Sequence, residues 1–237
     1  MTVAPQPERR PRIAVLVFPG SNDDRDAAWA LGALGAEAVV VWHAEERLPE
    51  VEGVLLPGGF SYGDYLRCGA IARFAPVMAD VRRFAEDGGP VLGICNGFQI
   101  LCEAGLLPGV LRPNASLSFV CRDVTVRVER ADLAITGRCT EGQVLTIPIK
   151  CGEGAWYADE ALVEALAGGG QIVFRYAGDN PTGAVGAVAG VCSVGGNVVG
   201  LMPHPEHAVD PMLGSGDGGL LLAGLVDAAT ARLLVAA

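Results

Sequence analysis

One cysteine lies where the sequence could expose it as a nucleophile. Cys95 is the centre of the pentapeptide GICNG at residues 93–97, which follows an apolar run and precedes a helix-like pattern. Glycines two residues before and after it relieve crowding on a sharp turn from strand to helix. Such a turn lifts the sulfur clear of the sheet and aims the first helical N–H groups at it. This pattern predicts a reactive thiol, although an isolated cysteine in an α/β chain is usually a packing residue.

A thiol nucleophile also needs a base and a group that orients the base. Two of the three histidines, His204 and His207, lie in MPHPEH at residues 202–207, directly after a predicted strand. The prolines on both sides of His204 favour an extended backbone, in which alternate side chains share a face. We therefore expect His204 to face the sulfur and Glu206 to hold its imidazole in one tautomer. His43 is interpreted as an exposed residue at a strand end.

Backbone N–H groups must stabilise the oxyanion that forms when the thiolate attacks a carbonyl group. The N–H of Asn96, directly after the nucleophile, is one candidate donor. The other candidate is the turn at Gly58 and Gly59, which follows a predicted strand. Ligands collect at the carboxyl ends of strands in open α/β sheets, and glycine lets the backbone approach them closely.

The elements that must position these residues alternate between strand and helix in the first half of the chain. The predicted strands are 12–18, 37–42, 51–56 and the run that ends at Cys95; the predicted helices are 24–34, 76–86 and one after Cys95. This order predicts a parallel sheet with crossover helices. Three acidic residues are interpreted as charges at the start of the first helix: Asp23, Asp24 and Asp26.

The second half of the chain alternates apolar and polar residues, which is typical of antiparallel strands. The predicted strands are 119–129, 143–149, 171–176, 187–193 and 197–202, with a hairpin turn at Gly195 and Gly196 and a closing helix at 219–235. The predicted fold class is therefore α/β, with a mixed, mostly parallel open sheet flanked by helices. Residues 1–11 are predicted to be a disordered tail, and residues 12–237 to form one domain.

The amino-acid composition indicates the cellular compartment of the chain and excludes some classes of partner. Its net charge of −10 over 237 residues argues against nucleic acid or an acidic membrane surface as a partner. Seven cysteines without a Cys-x-x-Cys pair indicate neither a disulfide framework nor a zinc site, and no metal is expected. The N-terminus lacks the apolar core of a signal peptide, and no stretch is expected to reach the ~18 apolar residues of a membrane span. We expect a cytoplasmic location.

Three segments together carry a resemblance to a known family. They are PGGFSYGDYLR at residues 57–67, GICNGFQ at 93–99 and PHPE at 203–206. This combination resembles the triad-type glutamine amidotransferases, and within them the glutaminase subunits of phosphoribosylformylglycinamidine synthases. The likeness extends over nearly the whole chain from Arg12, and the long glycine-rich segment is far more specific than the triad.

The resemblance implies a flavodoxin-like fold and a set of site residues. Cys95 would attack the side-chain amide of glutamine, and His204 and Glu206 would complete the triad. Gly59 and Asn96 would form the oxyanion hole. The resemblance further implies four substrate-binding residues: Gly58, Gln99, Phe119 and Arg122.

The resemblance also implies partners, because the ammonia must reach a synthetase. The chain itself has no nucleotide-binding motif, so ATP and Mg are expected on a large synthetase subunit, and a small third subunit is expected in the complex. The acceptor would be formylglycinamide ribonucleotide. No cofactor is expected in this chain.

The sequence differs from the family pattern at two positions, and two other functions are considered. Cys151 stands where the family usually has histidine, and no role is assigned to it. His207 stands where arginine is usual, and it is expected to alter a surface or partner contact.

One alternative function is that of a stand-alone cysteine hydrolase, either a γ-glutamyl hydrolase or a peptidase. The other is a non-catalytic regulator that retains the fold.

Overall fold

The computed structural model describes residues 9–236, with side chains to residue 235. Most of the predicted tail, residues 1–8, lies outside this part of the chain. The other residues of the predicted tail, 9–11, are described. Arg9 Nη2 lies 2.7 Å from Glu52 Oε1, so the described chain begins with an ion pair to the domain.

A nine-stranded sheet forms the centre of the domain, in the order β2-β1-β3-β4-β11-β10-β9-β6-β7. The first five strands in this order are mutually parallel, and the later neighbours are antiparallel. This confirms the mixed open sheet. The strands are β1 (Arg12–Val17), β2 (Glu37–Trp42), β3 (Gly53–Leu56), β4 (Val91–Ile94), β6 (Val120–Val128), β7 (Val144–Cys151), β9 (Ile172–Tyr176), β10 (Val188–Cys192) and β11 (Val198–Leu201); β5 (Val110–Arg112) and β8 (Ala155–Tyr157) form a separate pair.

Burial explains why the two halves of the chain have different sequence patterns. Every residue of β3, β4 and β11 is buried, because parallel strands in the middle of the sheet are covered on both faces. Exposure alternates along β7, which is typical of an antiparallel strand with one solvated face. The helices are α1 (Asp24–Ala33), α2 (Val77–Glu86), α3 (Asn96–Glu103), α4 (Glu160–Gly168) and α5 (Gly218–Ala236).

The closing helix α5 corrects one expectation. Its window Gly218–Val235 has a mean hydropathy of 1.6 and is long and apolar enough to cross a membrane by length and composition alone. Half of that window is buried inside the domain, and core helices pass the same test. Helix α5 packs against α1, β1 and β3, so its apolar composition is explained by the core.

Three further features differ from the sequence predictions. The β5–β8 pair was not predicted, because strands of three residues are too short to show a periodicity. Helix α4 was also not predicted, because Leu166 is its only buried residue and it therefore has no apolar stripe. His43 is half-buried, and its Nδ1 lies 2.8 Å from the Tyr62 hydroxyl.

Candidate active site

Cys95 occupies a strained turn between β4 and α3. Its φ of 49° and ψ of −105° are unusual for a residue with a side chain, and such strain is found at functional sites. A Cβ on Gly97 would lie 2.0 Å from the Leu56 carbonyl oxygen, and one on Gly93 would lie 2.8 Å from the Gly97 backbone. The two glycines are therefore required by close backbone packing, as the sequence pattern predicts.

The sulfur of Cys95 is buried and makes one weak hydrogen bond. Sγ donates to the Lys150 carbonyl oxygen at 3.7 Å. Burial raises the pKa of the Cys95 thiol, and the charges of Asp23 and Glu206 raise it further. The Asn96 N–H and the Lys150 ammonium offset only part of this increase. The thiol is therefore neutral in this conformation.

His204 and Glu206 form a buried pair beyond the end of β11. His204 Nδ1 lies 2.6 Å from Glu206 Oε1, and both side chains are almost completely buried. With the Nδ1 proton directed at the carboxylate, Nε2 remains as the basic nitrogen, and it has no hydrogen-bond partner in the described part of the chain. The expected extended conformation is wrong after His204, because Pro205–His207 form a 3-10 turn. This turn still brings the carboxylate to the ring.

Asp23 also contacts this histidine–carboxylate pair, and its place there was not predicted from the sequence. Its Oδ2 lies 3.5 Å from His204 Nδ1, and its Oδ1 lies 2.5 Å from Lys150 Nζ and 3.3 Å from His207 Nε2. Burial by itself raises the pKa of Asp23, but His207, His204 and Lys150 outweigh burial and hold that pKa far below its ordinary value. Asp23 is the N-cap residue of α1, at the predicted helix start, but its side chain makes no cap hydrogen bond and its carboxylate faces the site instead. Its place after β1, at the carboxyl end of the sheet, was the available signal.

His207 is thus part of the same charge cluster and is not a purely surface residue. One ligand atom from each of Asp23, His204, Glu206 and His207 lies within 4.8 Å of the others, a spacing that could accommodate a cation. The present hydrogen bonds and the Lys150 ammonium already balance these carboxylates.

The glycine turn after β3 contacts the site from a third element. A Cβ on Gly58 would lie 2.4 Å from Asp23 Oδ2 and 2.5 Å from His204 Cε1, so only glycine lets the imidazole and this carboxylate pack here. Gly59 has a φ of 150° and lines the same cavity as Cys95. The backbone at Gly59 thus forms part of the wall of the cavity that Cys95 also lines.

A cavity of about 270 Å³ opens beside Cys95 and is lined in part by Gln99. The Asn96 side chain donates from Nδ2 to Gln99 Oε1 at 2.8 Å, and Gln99 Nε2 donates to the Glu153 carbonyl oxygen at 2.7 Å. Asn96 Oδ1 in turn accepts from the Ser61 N–H at 3.2 Å. This chain of bonds fixes the cavity wall to the first turn of α3. Both polar atoms of the Asn96 side chain take part in these hydrogen bonds, so only the backbone N–H of Asn96 is available to an oxyanion.

The two other predicted substrate-binding residues, Phe119 and Arg122, do not line the Cys95 cavity. Phe119 is 55% exposed, and its ring centroid is 6.3 Å from that of Phe60, which lines the cavity. Arg122 forms an ion pair with Asp179 and lies outside the Cys95 cavity, beside a shallower one that Lys150 and His207 also line. Cys151, to which no role was assigned, is buried in the wall of the Cys95 cavity.

An open α/β sheet with a cysteine at a strand-to-helix turn and a histidine–carboxylate pair after the neighbouring strand is the arrangement expected of a glutamine amidotransferase of the triad type. The family described as "CobB/CobQ-like glutamine amidotransferase domain" matches residues 10–215, and the chain belongs to this family.

Two named relatives and one solved structure show which members of this family the chain resembles. The chain is 59% identical over 207 residues to "Phosphoribosylformylglycinamidine synthase subunit PurQ" of Rubrobacter xylanophilus, which covers 87% of this chain and 94% of the relative. The protein of the same name from Nocardia farcinica is 57% identical, with coverages of 88% and 93%. A chain in "Structure of PurLQS from Thermotoga maritima" superposes with a TM-score of 0.84 at 41% identity and covers 91% of this chain and 97% of that one. These similarities confirm the resemblance seen in the sequence and do not favour a stand-alone hydrolase.

Proposed function

We propose that this chain hydrolyses glutamine to glutamate and ammonia, and that it supplies the ammonia to a synthetase subunit that makes formylglycinamidine ribonucleotide. The observation that carries the proposal is the placement of Cys95 on its strained turn after β4, with the buried His204–Glu206 pair after the neighbouring strand β11. The names of relatives more than 55% identical support the same reaction in purine biosynthesis.

In the proposed mechanism Cys95 is the nucleophile and His204 Nε2 is the base. The base takes the thiol proton, Sγ attacks the amide carbon of glutamine, and the oxyanion accepts from the N–H groups of Asn96 and Gly59. His204 then protonates the departing nitrogen, and ammonia leaves a glutamyl thioester. A water molecule, deprotonated by the same nitrogen, hydrolyses the thioester and releases glutamate. Glu206 keeps Nδ1 protonated throughout.

The conformation of the thiol is that of a resting enzyme. Sγ donates to a backbone carbonyl and not to His204, and burial keeps the thiol neutral. A rotation of the Cys95 side chain toward Nε2 is needed before attack. We propose that substrate and synthetase binding favour this rotated conformation, which would limit the release of ammonia when no acceptor is present.

The proposed partners are a large synthetase subunit and a small third subunit, in agreement with the PurLQS assembly of the Thermotoga maritima structure. ATP and Mg would be bound by the large subunit, where formylglycinamide ribonucleotide would accept the ammonia. The proposed location is the cytoplasm, because all seven cysteines are unpaired.

A Cys95→Ala variant tests the proposal in the assembled complex. We expect it to abolish synthesis driven by glutamine and to preserve synthesis driven by added ammonium salts. An exposed-cysteine variant, Cys121→Ala, is the matched control and should retain both activities. Glutamine-driven synthesis by Cys95→Ala would refute the assignment of the nucleophile.

A further inference from the structure

Four side chains at the carboxyl end of the sheet offer the ligands that a transition metal prefers. This four-ligand cluster consists of Asp23, His204, Glu206 and His207, and one ligand atom of each lies within 4.8 Å of the others. Two imidazole nitrogens and two carboxylate oxygens form a ligand set that zinc accepts. Ligands placed tetrahedrally at about 2.0–2.2 Å from zinc are about 3.3–3.6 Å from one another.

Three separations in the four-ligand cluster already have this length. His204 Nδ1 lies 3.5 Å from Asp23 Oδ2, and His207 Nε2 lies 3.3 Å from Asp23 Oδ1 and 3.6 Å from Glu206 Oε1. The distance of 2.6 Å between His204 Nδ1 and Glu206 Oε1 is shorter, because a proton lies between these two atoms. A metal that replaces this proton would need only a small movement of the ligands.

Glu206 has an oxygen that the protein itself does not use. Its Oε2 is buried and has no hydrogen-bond partner in the described part of the chain, whereas Oε1 of the same carboxylate belongs to the cluster. The side chain of Glu206 is 0% exposed. A buried acceptor without a partner is costly, and a cation bound to the carboxylate would compensate for its burial.

The cluster already holds one cation, which a metal can displace. The Lys150 ammonium lies 2.5 Å from Asp23 Oδ1, but the Lys150 side chain is 31% exposed and can turn toward solvent. His207 is 28% exposed. Both residues line the shallower cavity, of about 360 Å³, which does not include Cys95. A metal ion can therefore reach the cluster without passing the nucleophile.

We propose that the four-ligand cluster binds a zinc ion and that zinc inhibits this chain. The binding site stands on the cluster alone, whereas the inhibition rests on the proposed glutaminase function. A neutral imidazole has one proton, so a His204 ring with zinc on Nδ1 has its proton on Nε2 and cannot accept the thiol proton. The sequence predicts no zinc site because its cysteine spacing was the criterion, and the cluster contains no cysteine.

Zinc binding to the full chain is measured by competition with a chromophoric chelator, and we expect one ion per chain. For His207→Ala the Kd should increase at least roughly 100-fold, because even the loss of a group that only supports a metal ligand typically costs 10- to 100-fold. His207→Arg introduces the residue that is usual in the family, and it should weaken binding as strongly. These two variants remove the ligand by different side chains, so a common loss is not a defect of one replacement.

Three further variants separate the cluster from other zinc ligands. Cys95→Ala removes the neighbouring thiol and should bind zinc as tightly as the wild type. His43→Gln removes a histidine that contacts Tyr62 outside the cluster, and it is the matched control. Lys150→Met should bind roughly tenfold more tightly, since it removes a charged hydrogen bond that competes for Asp23. A general disturbance of the fold would not increase the affinity.

Inhibition is measured in the assembled complex, with each variant compared to its own rate in zinc-free buffer. Zinc should inhibit synthesis driven by glutamine but not synthesis driven by ammonium salts, and a zinc-selective chelator should reverse the effect. An unchanged Kd in both His207 variants would overturn the inference. Loss of binding in Cys95→Ala would also overturn it, because the metal would then lie at the nucleophile. If the zinc-free complex failed to cleave glutamine, the proposed function would fail, and zinc binding would still be measurable.

Discussion

Asp23 Oδ2 lies 3.5 Å from His204 Nδ1, the same ring nitrogen that lies 2.6 Å from Glu206 Oε1. The proposed base therefore has two carboxylates at one nitrogen, of which Asp23 is balanced by Lys150. When the imidazole becomes cationic during the reaction, Asp23 can stabilise it without a change in the surrounding structure.

Replacement of Asp23 by asparagine should lower kcat and leave the KM for glutamine nearly unchanged. The variant keeps the shape of the side chain but removes the charge next to His204, so we expect kcat to fall roughly 10- to 100-fold. Steady-state glutaminase assays of the complex measure this effect. Asp24→Asn, one residue further on, is the control, and it should behave as the wild type. A kcat for Asp23→Asn equal to that of Asp24→Asn would show that the second carboxylate has no role in the reaction.

The raised pKa of Cys95 predicts how its alkylation depends on pH. A thiol reacts as the thiolate, and a pKa above the ordinary value of about 9 shifts the rise in rate to higher pH. For the isolated chain we expect iodoacetamide to label Cys95 slowly at neutral pH and faster only above about pH 9. Mass spectrometry of the Cys95 peptide gives the rate, with the exposed Cys121 as an internal reference. A rate that is already maximal at pH 7 would contradict a neutral resting thiol.

Gly58→Ala should disrupt the site without affecting the rest of the fold to the same degree. The added methyl group would lie 2.5 Å from His204 Cε1 and 2.4 Å from Asp23 Oδ2, so the imidazole must move. We expect a loss of roughly 100-fold in kcat, because small displacements of catalytic groups have effects of this size. Gly32→Ala in α1 is the control, since nothing lies within 4 Å of its added methyl group. That variant should keep its activity and gain about 0.5–1 kcal/mol of stability in urea unfolding.

The sequence predicted those parts of the site that local packing determines. The glycines around Cys95 and the glycine turn after β3 are required by close contacts of the backbone, so they leave a readable pattern. The central strands were predictable because burial on both faces requires unbroken apolar runs.

The charged neighbours of the site were not predictable from local patterns. Asp23 follows β1, whereas Lys150 lies near the end of β7, and 127 positions of sequence separate them. Only the arrangement of the strands brings the two side chains together.

A double-mutant cycle tests whether Lys150 and Asp23 stabilise the fold as a pair. Lys150→Met removes the only lysine of the chain and leaves the Asp23 carboxylate, which is 5% exposed, with less compensation for its burial. Because Lys150 is 31% exposed and partly screened by solvent, we expect a loss of about 1–2 kcal/mol in urea unfolding at pH 7. In Asp23→Asn the same lysine substitution should cost much less, since no charge remains to be compensated. The pKa of Asp23 is lowered on folding, so its contribution to stability is fully present above the unfolded pKa of about 4 and is lost progressively as the pH falls from there through the much lower pKa of the folded state. Because the folded carboxylate is still ionised at pH 3, the coupling energy should persist at that pH while the total stability falls, and a coupling that vanished at pH 3 would contradict the lowered pKa of Asp23.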